Sequence, residues 1–213
     1  MNEQRLARLR RRMAETGTDL VVLGPSSHLV WLAGLRPHGD ERPVLLLVSG
    51  KGAAMLMPAL NADSQRPLTT VPFFTWADAD GPKAALADLL KSLTLPGKRL
   101  NVVLDETMRA DFALLVLDTL GDVERRFTET TVGALRAAKD EAEFAALKRN
   151  ALINDQVMMA AFEALRPGIT EDELAGLIRD GYKSRGARTE FISVCFGEDG
   201  AFPHLTSGSR ALR

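Results

Sequence analysis

A single cysteine, Cys195, stands in 213 residues, so no internal disulfide can form and the chain suits a reducing compartment. No charge of one sign prevails either: 27 Lys+Arg against 28 Asp+Glu leave a formal charge of -1. That balance offers no electrostatic footing for nucleic acid or an anionic membrane as the main partner. No apolar run approaches a membrane-spanning length. The opening RLARLRRRMAE is charged where a signal peptide needs an apolar core, so a cytoplasmic protein is expected. What remains is an ordinary globular composition, 46% hydrophobic and 26% charged, long enough for one large or two small domains.

Apolar periodicity gives the order of elements. Leu6, Leu9 and Met13 mark one side of a basic helix over 3–16. DLVVLG (19–24) reads as a short buried strand ended by Gly24-Pro25. Ser26 or Ser27 then caps a brief helix through His28, Trp31 and Leu32 that stops at Gly34. His28 beside Trp31 reads as structural. A polar loop, LRPHGDERP, precedes the strand 44–48, and Lys51-Gly52 turns it into AAMLM as a hairpin. The chain is expected to be irregular over 61–72, with strands at 71–76 (VPFFTW), 100–105 and 123–127. Helices fall between them, one opened by Gly81-Pro82 and one at 109–119, and the turn LPGK (95–98) leads into the strand at 100. Strands alternating with helices predict an α/β layer. TETTVG (128–133) is polar, and the first domain is placed over 1–130, with the second over 131–213.

The second domain is organised around RPGITEDELAGLIRDGYKSRGARTEFISVCFGEDGAFPHL, residues 166–205. Before it, Asp140 and Glu143 form a capping box for a long helix, with Phe144, Leu147, Ala151, Met158, Phe162 and Leu165 as its expected packing face. Pro167-Gly168 stops that helix, and Thr170 with Glu173 caps the next, whose Leu174, Leu177 and Ile178 repeat at helical spacing. Phe191, Ile192, Val194 and Phe196 read as a buried strand, in which Cys195 is an inert core thiol. Beyond it, Pro203 holds His204 in a loop where its ring can face a cleft and donate a hydrogen bond at neutral pH.

The succession LRAAKDEAEF, long helix, RPGITEDEL, strand and Pro-His loop resembles the pita-bread metallopeptidases: Xaa-Pro dipeptidase (prolidase), aminopeptidase P and, on the same scaffold, creatinase. The front of the chain is similar to the creatinase/prolidase amino-terminal domain. The resemblance implies an α/β amino-terminal domain followed by an incomplete α+β pita-bread domain. It implies hydrolysis of the bond before proline in a dipeptide or short peptide, with His204 binding substrate and stabilising charge at the scissile carbonyl. It implies two divalent ions (Mn, Co or Zn) in the complete enzyme, held by two Asp, one His and two Glu downstream of the Pro-His loop. After His204 this sequence has no Asp, Glu or His, and Glu198 and Asp199 are misplaced to substitute. The expectation is therefore a chain cut before its metal ligands and binding no metal by itself. The 35–43 loop, with His38, Asp40, Glu41 and Arg42, is expected to meet a substrate's α-amino group, in a homodimer that brings it over an active site. Two other readings stand beside this one: a non-catalytic relative acting in binding or dimerisation, and a creatinase-like amidinohydrolase.

Overall fold

Leu6, Leu9 and Met13 all lie buried along helix α1 (Glu3–Thr16) in the computed structural model, which describes residues 1–97 and 99–213. Asn2 caps the helix, and Gly17, at φ 66°, closes it in the left-handed conformation that glycine adopts without strain. Six strands follow, interleaved with helices: β1 (Leu20–Leu23), α2 (Ser27–Ala33), β2 (Leu45–Ser49), β3 (Ala53–Pro58), α3 (Ala59–Gln65), β4 (Phe73–Trp76), α4 (Lys83–Ser92), β5 (Leu100–Leu104), α5 (Ala110–Leu120) and β6 (Val123–Phe127). They form one sheet in the order β4-β3-β2-β1-β5-β6. The hairpin read from Lys51-Gly52 is present, with Leu45 opposite Leu56 and Val48 opposite Ala53. β1, β5 and β6 run parallel, so their carboxyl ends gather at one edge of the sheet.

Both faces of the inner strands β3, β2, β1 and β5 are covered, which is why these are largely apolar rather than alternating, whereas edge strand β6 (VERRF) is mostly exposed. Val21, Leu23, Leu46 and Val48 face α1 and α2, whereas Leu20, Val22, Leu45 and Leu47 face Leu86 and Leu89 of α4 and Phe112 and Val116 of α5. The first unit is thus the expected α/β layer. Ser26, not Ser27, caps α2 by accepting from the amides of His28 and Leu29. The stretch expected to be irregular contains α3; only its Ala62 is buried, so no apolar stripe announces it. Lys98, the last residue of the LPGK turn, lies outside the described residues.

The polar stretch after β6 differs from the sequence reading. Thr128–Thr130 is a 3₁₀ turn, α6 (Val132–Ala137) follows, and the first compact unit runs to Ala138. Thr128 and Thr131 are buried, because their polar groups find partners. The Thr128 hydroxyl donates to Glu106 at 2.8 and 2.7 Å, and the Thr131 hydroxyl donates to the Thr128 carbonyl at 3.4 Å. Gly133 permits the close approach: a Cβ there would lie 2.8 Å from the Thr128 carbonyl oxygen.

The second unit, Lys139–Arg213, holds α7 (Glu141–Glu163), α8 (Glu171–Ser184) and a 3₁₀ turn at Gly197–Ala201. Both capping boxes, Asp140 with Glu143 and Thr170 with Glu173, are formed. Two expectations are overturned. The stripe on α7 is not its buried face: Phe144 and Phe162 are 64% and 59% exposed, and the helix buries Val157 and Ala161 against α8. Nor is 191–196 a strand. Among the described residues no strand pairs with it, and Ile192, Val194 and Phe196 only half-bury while Phe191 stays exposed. Cys195 is correspondingly half-buried rather than in a core. Among the described residues no helix is long and apolar enough to cross a membrane.

Candidate functional site

Three consecutive acids open α8, and they have three fates. Glu173 completes the capping box, Asp172 is exposed, and Glu171 is buried. At the first helical position Glu171 shares a face with Leu174, Ala175 and Ile178, all buried. Its carboxylate also suits the positive end of the helix. One carboxylate oxygen accepts from the Phe196 amide at 2.6 Å and the other from the Gly208 amide at 2.9 Å. Its own amide donates to the Arg210 carbonyl, and the Asp172 amide donates to the Gly208 carbonyl. Glu171 therefore grips both ends of the 197–207 loop.

The loop carries His204. Leu205 donates its amide to the Phe202 carbonyl at 3.4 Å, making a turn with Pro203 and His204 as its central residues. His204 has φ 67°, the left-handed region favoured by glycine at that turn position. A non-glycine residue there is strained by about 1–2 kcal/mol. Its side chain is exposed. Further ties brace the loop. The Ser193 hydroxyl donates to the Leu205 carbonyl at 2.5 Å, and the Val194 amide donates to the Ser207 hydroxyl at 2.8 Å. Arg210 pairs with Asp199 at 2.6 Å. That pairing first, and the other nearby carboxylates, raise the Arg210 pKa above its ordinary value against the effect of burial.

In the first unit, the 35–43 loop is knitted to itself. Asp40 accepts from the Arg42 amide at 2.8 Å, and Arg42 pairs with Glu41 at 2.7 Å. The same guanidinium forks onto Asp78, at 2.9 Å to each of its oxygens. The Asp78 hydrogen bond and charge raise the Arg42 pKa, and the same bond lowers that of Asp78. Glu41 and His38 are exposed. Each compact unit thus carries part of the residue set read from the sequence: His38, Asp40, Glu41 and Arg42 in the first, His204 in the second.

A polar cluster that the sequence reading passed over lies at the carboxyl ends of β1, β5 and β6. Arg136 donates to Nδ1 of the buried His28 at 2.8 Å, while His28 Nε2 faces Glu106 at 3.3 Å and the Thr128 hydroxyl at 3.2 Å. Burial raises the Glu106 pKa, but the Thr128 hydroxyl, the amides of Glu106 and Thr128 and the His28 ring together outweigh it. They hold the carboxyl at about 2, below its ordinary 4.5. Beside it, Asp105 accepts from the Ser26 hydroxyl, and from the amide and hydroxyl of Thr107 at 3.0 and 2.7 Å.

Among the described residues, His28, Asp105 and Glu106 form the one trio close enough to share an ion. A guanidinium can only donate, so Nδ1 of His28 accepts and Nε2 bears the hydrogen. The nitrogen facing the carboxylates then has no lone pair for a metal, and Asp105 is already taken. In the second unit both oxygens of Glu171 are occupied, and Glu198 and Asp199 turn to Arg210 at 3.7 and 2.6 Å. The residues present do not fit the pair of divalent ions that the resemblance implies.

A cleft of about 650 Å³ opens between α7, α8 and 188–196, lined by Met158, Phe162, Leu174, Ile178, Tyr182 and Phe196 among others. His204 is not part of its wall. Glu171 was missed in the sequence because TEDEL reads as a helix start. The available signal was its register, a carboxylate three and seven residues before Leu174 and Ile178, on the apolar face.

Residues 5–137 match the Creatinase/Prolidase N-terminal domain, and residues 145–213 match Metallopeptidase family M24. The probable dipeptidase PepE of Mycobacterium tuberculosis (strain ATCC 25618 / H37Rv) is 29% identical over 216 residues, which cover 99% of this chain and 56% of that protein. The crystal structure of dipeptidase PepE from Mycobacterium ulcerans superposes with a TM-score of 0.88 at 27% identity, over 99% of this chain and 57% of that one. A dipeptidase from Pyrococcus horikoshii OT3 gives a TM-score of 0.85 at 27% identity, over 98% and 58%. The chain spans little more than half the length of these relatives. It belongs to the creatinase/prolidase family, a creatinase/prolidase amino-terminal domain followed by sequence of metallopeptidase family M24.

Proposed function

We propose that this chain carries the substrate-gripping part of a dipeptidase of the prolidase type, acting on dipeptides or short peptides with proline second. One observation carries the proposal: His204 is exposed on a strained Pro-His turn whose loop is fixed at both ends. A fixed imidazole donor can meet the carbonyl oxygen where negative charge develops during acyl transfer. A bond to proline is a tertiary amide without an N–H. Recognition then falls on the carbonyl, the ring and the two ends of the dipeptide. Glu41, exposed beside His38, is proposed to meet the α-amino group, with Asp40 and Arg42 shaping its loop. A cytoplasmic setting and a homodimer belong to the same proposal. The role given to this chain's own residues is binding and orientation.

A second reading, a non-catalytic relative used for binding or dimerisation, is favoured by one specific observation: the carboxylates and imidazole that cluster here are already engaged by protein donors. One titration separates the two. Glycyl-proline added to the chain is expected to move the His204 imidazole resonances, with prolyl-glycine moving them much less. Equal, negligible shifts for both would favour the binding module. Hydrolysis of glycyl-proline by the chain alone with manganese, cobalt or zinc would overturn the account of its donor set.

A further inference from the structure

We propose that Glu171 is the positioning residue for His204, a two-point clamp that sets the geometry of the Pro-His turn. The inference rests on the reading of His204 as a substrate-binding group and deepens it. A left-handed histidine backbone persists only where its surroundings over-determine it. Here the loop leaves the half-buried segment at Phe196 and returns at Gly208, and both of those amides end on the same side chain, at 2.6 and 2.9 Å. Glu171 is itself buried, and it stands on the first turn of a capped helix of 14 residues, a rigid base. Hydrogen bonds that amides donate to a carboxylate are of the stronger kind. A carboxylate is also the one side chain that offers two equivalent acceptors to two donors and presents no hydrogen to either. The adjoining Asp172 and Glu173 cannot stand in, because one is exposed and the other closes the capping box.

The test uses the 213-residue chain with Glu171→Gln, Glu171→Asp and, as control, Asp172→Asn. Glutamine places an NH₂ against an amide donor and so breaks one arm of the clamp. Hydrogen exchange should quicken by about tenfold or more at one of the Phe196 and Gly208 amides in Glu171→Gln, and by less at the other, as losing one bond to a carboxylate acceptor implies. Amides of Leu174 to Ile178 should keep their protection, and Asp172→Asn should match the wild type. The shift of the His204 imidazole on adding glycyl-proline should be lost in Glu171→Gln and partly regained in Glu171→Asp. Wild-type exchange at both amides in Glu171→Gln overturns the clamp. Should that variant fail to fold, wild-type exchange at both amides in Glu171→Asp does the same. Faster exchange with an undiminished dipeptide shift overturns the positioning role. An absent dipeptide shift in the wild type removes the reading of His204 instead, while the exchange still decides whether the clamp exists.

Discussion

Arg136 reaches His28 across 2.8 Å from α6 to α2, so a permanent cation sets the tautomer of a buried imidazole. The consequence is a ring that donates toward Glu106 and cannot coordinate through the same nitrogen. Arg136→Met should leave Nδ1 buried without its donor and destabilise the first unit by about 1–3 kcal/mol in urea unfolding. Nitrogen NMR of the wild-type ring should show hydrogen on Nε2. Calorimetry of the wild type with manganese, cobalt or zinc should find no tight stoichiometric site; two high-affinity ions per chain would mean that the donor set has been misjudged.

Glu106 gives the fold a defined response to acid. Its folded pKa, about 2, is depressed from 4.5, so its contribution is fully present above the unfolded value. That contribution fades as pH falls from about 4.5 and is gone below about 2. A shift of this size would be worth several kcal/mol in a dry site. The side chain is 44% exposed, however, and screening leaves about 1 kcal/mol. Glu106→Gln should therefore cost about that much at pH 6 and almost nothing near pH 2. A cost that is the same at both pH values would show that the loss is one of shape and not of charge.

Much of the first unit was legible because its signals are local. The Leu6, Leu9 and Met13 stripe, the Lys51-Gly52 hairpin and the runs LVVL and LLLVS each declare their period within a few residues. The buried Thr128 and Thr131 were not legible. A polar TETTVG reads as a linker until Glu106, 22 residues earlier, is seen to accept from it. The Phe191–Phe196 run shows the opposite limit. Its composition is that of a strand, but a strand exists only with a paired neighbour, which composition does not supply. Glu171 sits between these cases: its register betrays burial, but its two amide partners lie 25 and 37 residues away.

The stripe on α7 leads to the last prediction. Phe144, Leu147 and Phe162 recur at helical spacing on one side of a 23-residue helix, with Leu165 just beyond its end, yet the four are 64%, 53%, 59% and 39% exposed. Burying such a side chain is worth about 1.5–3 kcal/mol each, so four left in water are a large unspent driving force. Exposed apolar surface of this extent is normally covered by another chain or leads to aggregation. Phe191, 78% exposed on the other wall of the neighbouring cleft, adds to it. The chain is therefore expected to sediment as a dimer or larger assembly at low micromolar concentration. Leu147→Glu with Phe162→Asp should shift it to monomer without unfolding the first unit, whose cores contain neither residue. A wild-type monomer that unfolds cooperatively, or a double variant that still assembles, would show that these side chains tolerate water and that association, if any, lies elsewhere.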